Sequence, residues 1–336
     1  MRAAVFHGPL DLRVETRIQP DIGPSDVLLQ VDACGVCGSD LISFRTGHYV
    51  EPGQVMGHEI AATVREVGRD VSGLRQGTRV AVRPMRSCGS CGYCTTGQRH
   101  LCGASAARSL AYGHPGGYAD LILVDRVEVG RDVIPVGDDV ATGDLLWAEP
   151  LAVGVHAVSL AGPRLGALRV IGSGSVGLCV ISAALAAGWT DVQVVEPRKA
   201  RLQAAAALGA RAVTPDAAAQ LPAAAAAIDT SGHASVLATV ATAIRAGGTL
   251  VSVGLGDDEL PWPLGPIDIV GAFGYREADF AEAVWLIETG QVRLSGLETS
   301  YSLSQITQAF GAAQTNPQVV KAVVRPALDA NEERHA

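Results

Sequence analysis

Lysine is almost absent from this chain. Of 26 lysines and arginines only Lys199 and Lys321 are lysines, and 34 acidic residues bring the formal net charge to −8. That balance excludes a nucleic-acid surface, because phosphate recognition needs clustered Lys and Arg. Aromatic residues are also scarce, at 4%, and charged residues make up 18%, whereas hydrophobic residues reach 48% beside 39 glycines. This composition suits a soluble α/β protein and not a disordered or fibrous chain. The N-terminal "MRAAVFHGPLDLRVE" lacks the long apolar core and small-residue cleavage site of a signal peptide. The expected location is therefore the cytoplasm. One uncharged run, Val170 to Thr190, is long enough to span a bilayer, but its early Gly/Ser cluster reads as a strand, turn and helix of a soluble protein. No membrane role is expected. Seven cysteines, an odd number with six in the first third, are not a secreted disulfide framework; they point to metal ligation.

A chain of 336 residues exceeds what one core usually serves, so two domains are expected. The first part reads as short β-rich runs, "RAAVF", "DVLLQVDA", "EIAATVREVG", "RVAVR" and "YADLILV", separated by Gly, Pro and Asp. After Pro150 strand and helix alternate. "LRVIG" precedes a helix from Ser175, "DVQVVE" a helix through "RKARLQAAAALG", and "AAIDT" a helix through "SVLATVATAIRAGG" that leads into "TLVSVG". Such alternation builds a doubly wound parallel sheet. The tail changes texture again, with a helix at "SLSQITQAFGAAQ" and a strand at "KAVVRP". The fold class is α/β: a β-rich domain over residues 1–150 with a cysteine lobe near 84–105, an inserted doubly wound parallel-sheet domain over 151–284, and a return to the first domain over 285–336.

"VIGSGSVG" sets Gly172, Gly174 and Gly177 in G-x-G-x-x-G spacing between a strand and a helix. The first glycine permits a tight turn, the second lets a pyrophosphate approach the backbone, and the third lets helix and strand pack closely. The helix start at Ser175 and Val176 offers free N–H groups to the phosphates. Glu196 ends the next strand, where an acid binds the adenosine ribose and repels a 2′-phosphate. NAD is expected in preference to NADP, although Arg201 stands close enough in sequence to meet a 2′-phosphate. Arg198 and Lys199 read as a solvated helix face.

"SCGSCGYCTTGQRHLC" spaces Cys88, Cys91, Cys94 and Cys102 as a four-thiolate array. Four thiolates close a tetrahedral zinc shell and leave no place for substrate, so this site is expected to be structural; an iron–sulfur cluster is the alternative use of such an array. A second set differs: Cys37 in "CGSD", His58 and Glu59 in "GHE", and Glu149 in "WAEPLAVGVHA". One thiolate, one imidazole and a carboxylate leave an open coordination position, which catalytic zinc requires. Two zinc ions per chain are expected.

With "CGVCGSD", "MGHE", the four-cysteine lobe, "GGYAD", "EPLAVGVHA", "GSGSVG", "DTSG" and "RAGGTLVSVG" in this order, the chain resembles the zinc-dependent medium-chain alcohol dehydrogenases over its whole length. The resemblance is to the branch with sorbitol and threonine dehydrogenases. It implies a partly open, GroES-like β catalytic domain, an inserted Rossmann domain, and a homodimer or homotetramer. It also implies that Cys37 and His58 ligate the catalytic zinc, and that Glu59 and Glu149 share the third role. Ser39 would handle the proton of the substrate hydroxyl, and Asp40 would hold the His58 ring. The implied substrate is a small alcohol or ketone: a secondary alcohol of a polyol, sugar, cyclitol or aminocyclitol. An NADP-linked alcohol or aldehyde reductase and a catalytically silent dinucleotide-binding homologue are the alternatives, and the second has no use for an open metal site. Two departures stand out. Ile42 occupies the position of a relay histidine, so the proton would leave through Glu149 and water or through His48. Gly274 stands where polyol-oxidising relatives carry an arginine before Tyr275. His48, Tyr49, Tyr112, Tyr275 and Arg276 are candidate pocket residues, while His156 reads as packed core.

Overall fold

The structure, a computed structural model, describes residues 1–233, 236, 240–254 and 266–328. The chain forms two compact units: Met1–Glu149 together with the segment from Arg276 onward, and Pro150–Tyr275.

The first unit is built on a seven-stranded sheet. Its order across is Glu298–Tyr301, Lys321–Val324, Val27–Gly35, Glu59–Val67, Arg79–Val82 and Val133–Pro135, with Leu121–Val124 also paired to Val27–Gly35. All these pairings are antiparallel except that of the two C-terminal strands. Val27–Gly35 is the axis of the sheet. It is rich in β-branched and small residues, and all but Gln30 and Asp32 are buried, so it serves as a central strand covered on both faces. The late strand Lys321–Val324 pairs with its end, Val323 opposite Gly35 and Val324 opposite Cys34, while Glu59 pairs with Gly35 from the other side. Residues far apart in sequence thus meet at one strand terminus. Aromatic packing fixes this end: Phe310, from the helix Ile306–Thr315, meets Phe44 and Tyr118 edge-on at 5.1 and 5.7 Å between ring centroids.

The second unit is a six-stranded parallel sheet ordered Arg211–Val213, Val192–Val195, Leu168–Ile171, Ala224–Asp229, Ile244–Ser252 and Asp268–Gly271. Counted along the unit the order is 3-2-1-4-5-6, the doubly wound arrangement of dinucleotide-binding folds. Ala224–Asp229 is buried at every position, as a strand with both faces covered must be.

Two boundaries differ from the sequence pattern. The chain rejoins the first unit at Arg276, not at 285, because the helix Glu277–Glu288 belongs to that unit. Glu277 lies within ion-pair reach of Arg83, Arg99 and Arg131. The strand expected to begin at "TLVSVG" instead spans Ile244–Ser252. Ile244 is buried among Ala227 and Leu250, and Gly247, at φ 72°, takes a conformation that a helix does not continue. Part of the helix expected before it lies outside the described residues. No helix among the described residues is long and apolar enough to cross a membrane.

Candidate functional site

Cys37 sits at the N-cap of the helix Gly38–Thr46, directly after the axial strand. His58 follows Gly57, which turns at φ 92° and whose absent Cβ would stand 2.8 Å from Cys34 Sγ and 2.9 Å from the Tyr118 ring. Glu59 opens the strand Glu59–Val67. These three residues each offer a ligand atom, and the atoms lie within 4.8 Å of one another. Glu59 Oε1 is buried without a hydrogen-bond partner, while Oε2 pairs with Lys321 and His58 Nδ1 faces Asp40. Buried polar atoms left so are costly unless something satisfies them, and a divalent ion would. One thiolate, one imidazole and one carboxylate therefore fit zinc with an open position. Glu149, in the first turn of Ala148–Leu160 and 9% exposed, is not among these three ligand atoms.

Around the centre the side chains are anchored in layers. Asp40 is buried; its Oδ1 lies 3.5 Å from His58 Nδ1, and its Oδ2 accepts the Cys37 N–H at 3.0 Å and the Tyr118 hydroxyl at 2.8 Å. Burial pushes the Asp40 carboxyl up, but His58, the Cys37 N–H and the Tyr118 hydroxyl together hold it below its ordinary value. For His58 burial favours the neutral ring, yet Tyr112, Asp40 and Cys37 outweigh it and raise the imidazole well above its usual value. Such a ring gives up its proton when a metal binds. Cys34 is fully buried and its thiol is pushed up by burial and then by Asp40 and Glu59, so it stays protonated beside the centre. The Tyr112 ring lies 5.7 Å from that of His58.

The four cysteines of the lobe are also together, and all are free thiols. Cys88 and Cys94 sulfurs are 3.8 Å apart, and Cys91 and Cys94 sulfurs 3.5 Å. Sulfurs each ~2.3 Å from one tetrahedral ion stand about 3.8 Å apart, so the cage fits zinc before any ion enters. The N–H groups of Ser90 and Cys91, turned inward by Gly89 at φ 78°, bring the Cys88 thiol down to about 5.

In the second unit Gly172 turns at φ 85°. A Cβ on Gly177 would overlap the Gly172 carbonyl, and one on Gly174 would approach the Arg201 guanidinium to 3.2 Å. The three glycines thus leave a cradle that side chains would fill, which fits a pyrophosphate. Gly174 is the N-cap of Ser175–Ala186, with Ser175 and Val176 in its first turn. Glu196 is buried, accepting the Ser173 N–H at 3.0 Å and the Arg198 N–H at 2.9 Å. Each of its oxygens keeps a second lone pair for a ribose hydroxyl. Arg201 Nε is buried without a partner.

The remaining candidates scatter. His48 bonds to Thr46 on the surface, and Ile42 stands half-buried on the same helix. Tyr49 is exposed at φ 68°, and Arg276 is paired with Asp279 at 2.8 Å. Tyr275 and His156 are buried. Two residues at the metal centre escaped sequence reasoning. Tyr118 lay within the quoted "GGYAD" but carried no signal of its own; Lys321 did carry one, as a lone charge inside the apolar run "VVKAVV".

Two family models match the chain: an alcohol dehydrogenase GroES-like domain over residues 23–136 and a zinc-binding dehydrogenase over residues 175–289. Sorbitol dehydrogenase of Bacillus subtilis (strain 168) is 31% identical, with 97% of each chain covered. L-idonate 5-dehydrogenase of Vitis vinifera is 30% identical over 95% of this chain and 93% of its own. A zinc-binding dehydrogenase from Sinorhizobium meliloti 1021, solved bound to NADP, superposes with a TM-score of 0.88 at 25% identity over 97% of this chain and 99% of its own.

Proposed function

Because the chain belongs to the zinc-dependent medium-chain alcohol dehydrogenases, in the sorbitol branch, and so acts on CH–OH groups, we propose that it oxidises a secondary alcohol of a polyol, sugar or cyclitol to the ketone, or runs the reverse, with NAD. The observation that carries this reading is that Cys37, His58 and Glu59 each bring a ligand atom within 4.8 Å of the others; three protein ligands would leave a tetrahedral ion one position for substrate. Zinc held there would act as a Lewis acid on a substrate hydroxyl, and the dinucleotide would take up the hydride. Cys37 and Glu59 supply negative charge to the ion and His58 a neutral nitrogen. Asp40 orients His58, and Tyr118 and the Cys37 N–H in turn orient Asp40. Ser39, two residues after Cys37, receives the proton of the hydroxyl. With Ile42 offering no base, that proton must leave by another path.

Gly172, Gly174 and Gly177 would seat the pyrophosphate, with Ser175 and Val176 offering N–H groups to it, and Glu196 would hold the adenosine ribose. NADP is the second reading, favoured by the unpartnered Arg201 Nε beside Gly174. The four-cysteine lobe would hold the second, structural zinc. A homodimer or homotetramer is proposed as the working form, to be read from the mass in solution. The deciding experiment is a screen of secondary alcohols, polyols and aminocyclitols, following the reduced nicotinamide with NAD and NADP in parallel. Turnover of sugar-like alcohols with NAD is the expected result. Turnover of simple aldehydes with NADPH alone would overturn it.

A further inference from the structure

Lys321 is the feature of the metal centre that this reading leaves unused. Its side chain is completely buried, as is that of Glu59, and its Nζ is ion-paired with Glu59 Oε2. It donates to the Val36 carbonyl at 3.2 Å and lies 5.5 Å from the centroid of the Trp147 ring. Gly35 makes the pairing possible, because a Cβ there would overlap the Glu59 carboxylate and approach Lys321 Cε to 2.7 Å. In a chain whose other cations are, with Lys199, all arginines, a compact single-point ammonium occupies this position; a planar guanidinium needs more room.

Burying a lysine is expensive unless its charge is used. Cys37 as thiolate, Asp40 and Glu59 carry three negative charges around the centre. A divalent ion cancels two of them and Lys321 cancels the third. We propose that Lys321 is a positioning residue of the catalytic centre: it fixes the Glu59 carboxylate toward the metal and keeps the loaded centre electrically neutral, which strengthens the metal's pull on the oxygen in the open position. Without it the centre would carry a surplus negative charge, and the metal would polarise that oxygen less. This inference rests on the zinc reading above.

The test uses protein loaded with cobalt in place of zinc, whose visible spectrum follows the ionisation of water in the open position against pH. K321M removes the charge at nearly the same length and is expected to raise the spectral midpoint by about one unit or more, and to move the pH profile of alcohol oxidation the same way. K321R keeps the charge and is expected to leave the midpoint closer to that of the parent. K321Q, neutral but still able to donate to Glu59, should shift as K321M does, and it carries the comparison if K321M does not fold. Full cobalt occupancy with an unmoved midpoint in the neutral variants would overturn the role of Lys321 alone. Cobalt in the four-cysteine cage but none at Cys37 and His58 would overturn the metal assignment beneath it.

Discussion

At the scale of single residues, the two proposed metal centres call for opposite consequences from the same substitution. Cys37→Ser is expected to abolish turnover while the chain remains folded, because an open centre serves chemistry and not cohesion. Cys91→Ser is expected to lower thermal stability, because a closed thiolate cage contributes folding energy directly. Metal analysis beside melting curves checks both; full activity in Cys37→Ser at unchanged metal content would remove it from the centre. Tyr118→Phe keeps the ring against Phe310 but takes one hydrogen bond from Asp40. It should weaken metal binding at the open centre by about 10- to 100-fold, read by chelator competition. Glu196→Ala should relax the preference for NAD over NADP, and an unchanged ratio would remove Glu196 from the ribose site. At this scale the candidate ligands are read from spacing, because zinc chemistry demands particular side chains at particular spacings, and Cys37, His58 and Glu59 come together while Glu149 is not among them. The partners of Tyr118 and Lys321 are not, since a tyrosine in a loop or a lone lysine in an apolar strand reveals its partner only when distant segments meet.

Elements decide where those residues meet. The strand Val27–Gly35 carries its buried residues to a terminus flanked by Glu59 on one side and the late strand Lys321–Val324 on the other. The helix Ile306–Thr315 packs Phe310 there, fully buried. Phe310→Ala should therefore cost about 3–5 kcal/mol of stability, measured by denaturant unfolding, and should loosen the open centre more than the cysteine lobe. Most strands were legible from β-branched runs between turn residues. The return of the chain at Arg276 was not, because the helix Glu277–Glu288 reads as an ordinary amphipathic segment until Glu277 is seen among Arg83, Arg99 and Arg131. Long-range ion pairs leave no periodic trace in sequence.

For the molecule as a whole, metal removal should proceed in two stages: a labile equivalent whose loss ends catalysis, then a resistant one whose loss destabilises the fold. The resistant equivalent should be released as the pH falls, because protons and the metal compete for the same thiolates. Thiolate is the binding form, so acid competes with the metal and alkali does not; a colorimetric chelator followed against pH measures this. The two centres also differ in when they can exist. The cysteine cage closes within the single segment from Cys88 to Cys102, so it depends on no distant strand. The other centre joins Cys37, His58 and Glu59 to Lys321, and its carboxylate lacks the Lys321 counter-charge until the strand Lys321–Val324 has paired. A metal held there would meet an uncompensated Glu59 carboxylate until that strand pairs, and a chain lacking Lys321 would leave the proposed centre unfinished beside an intact cysteine cage.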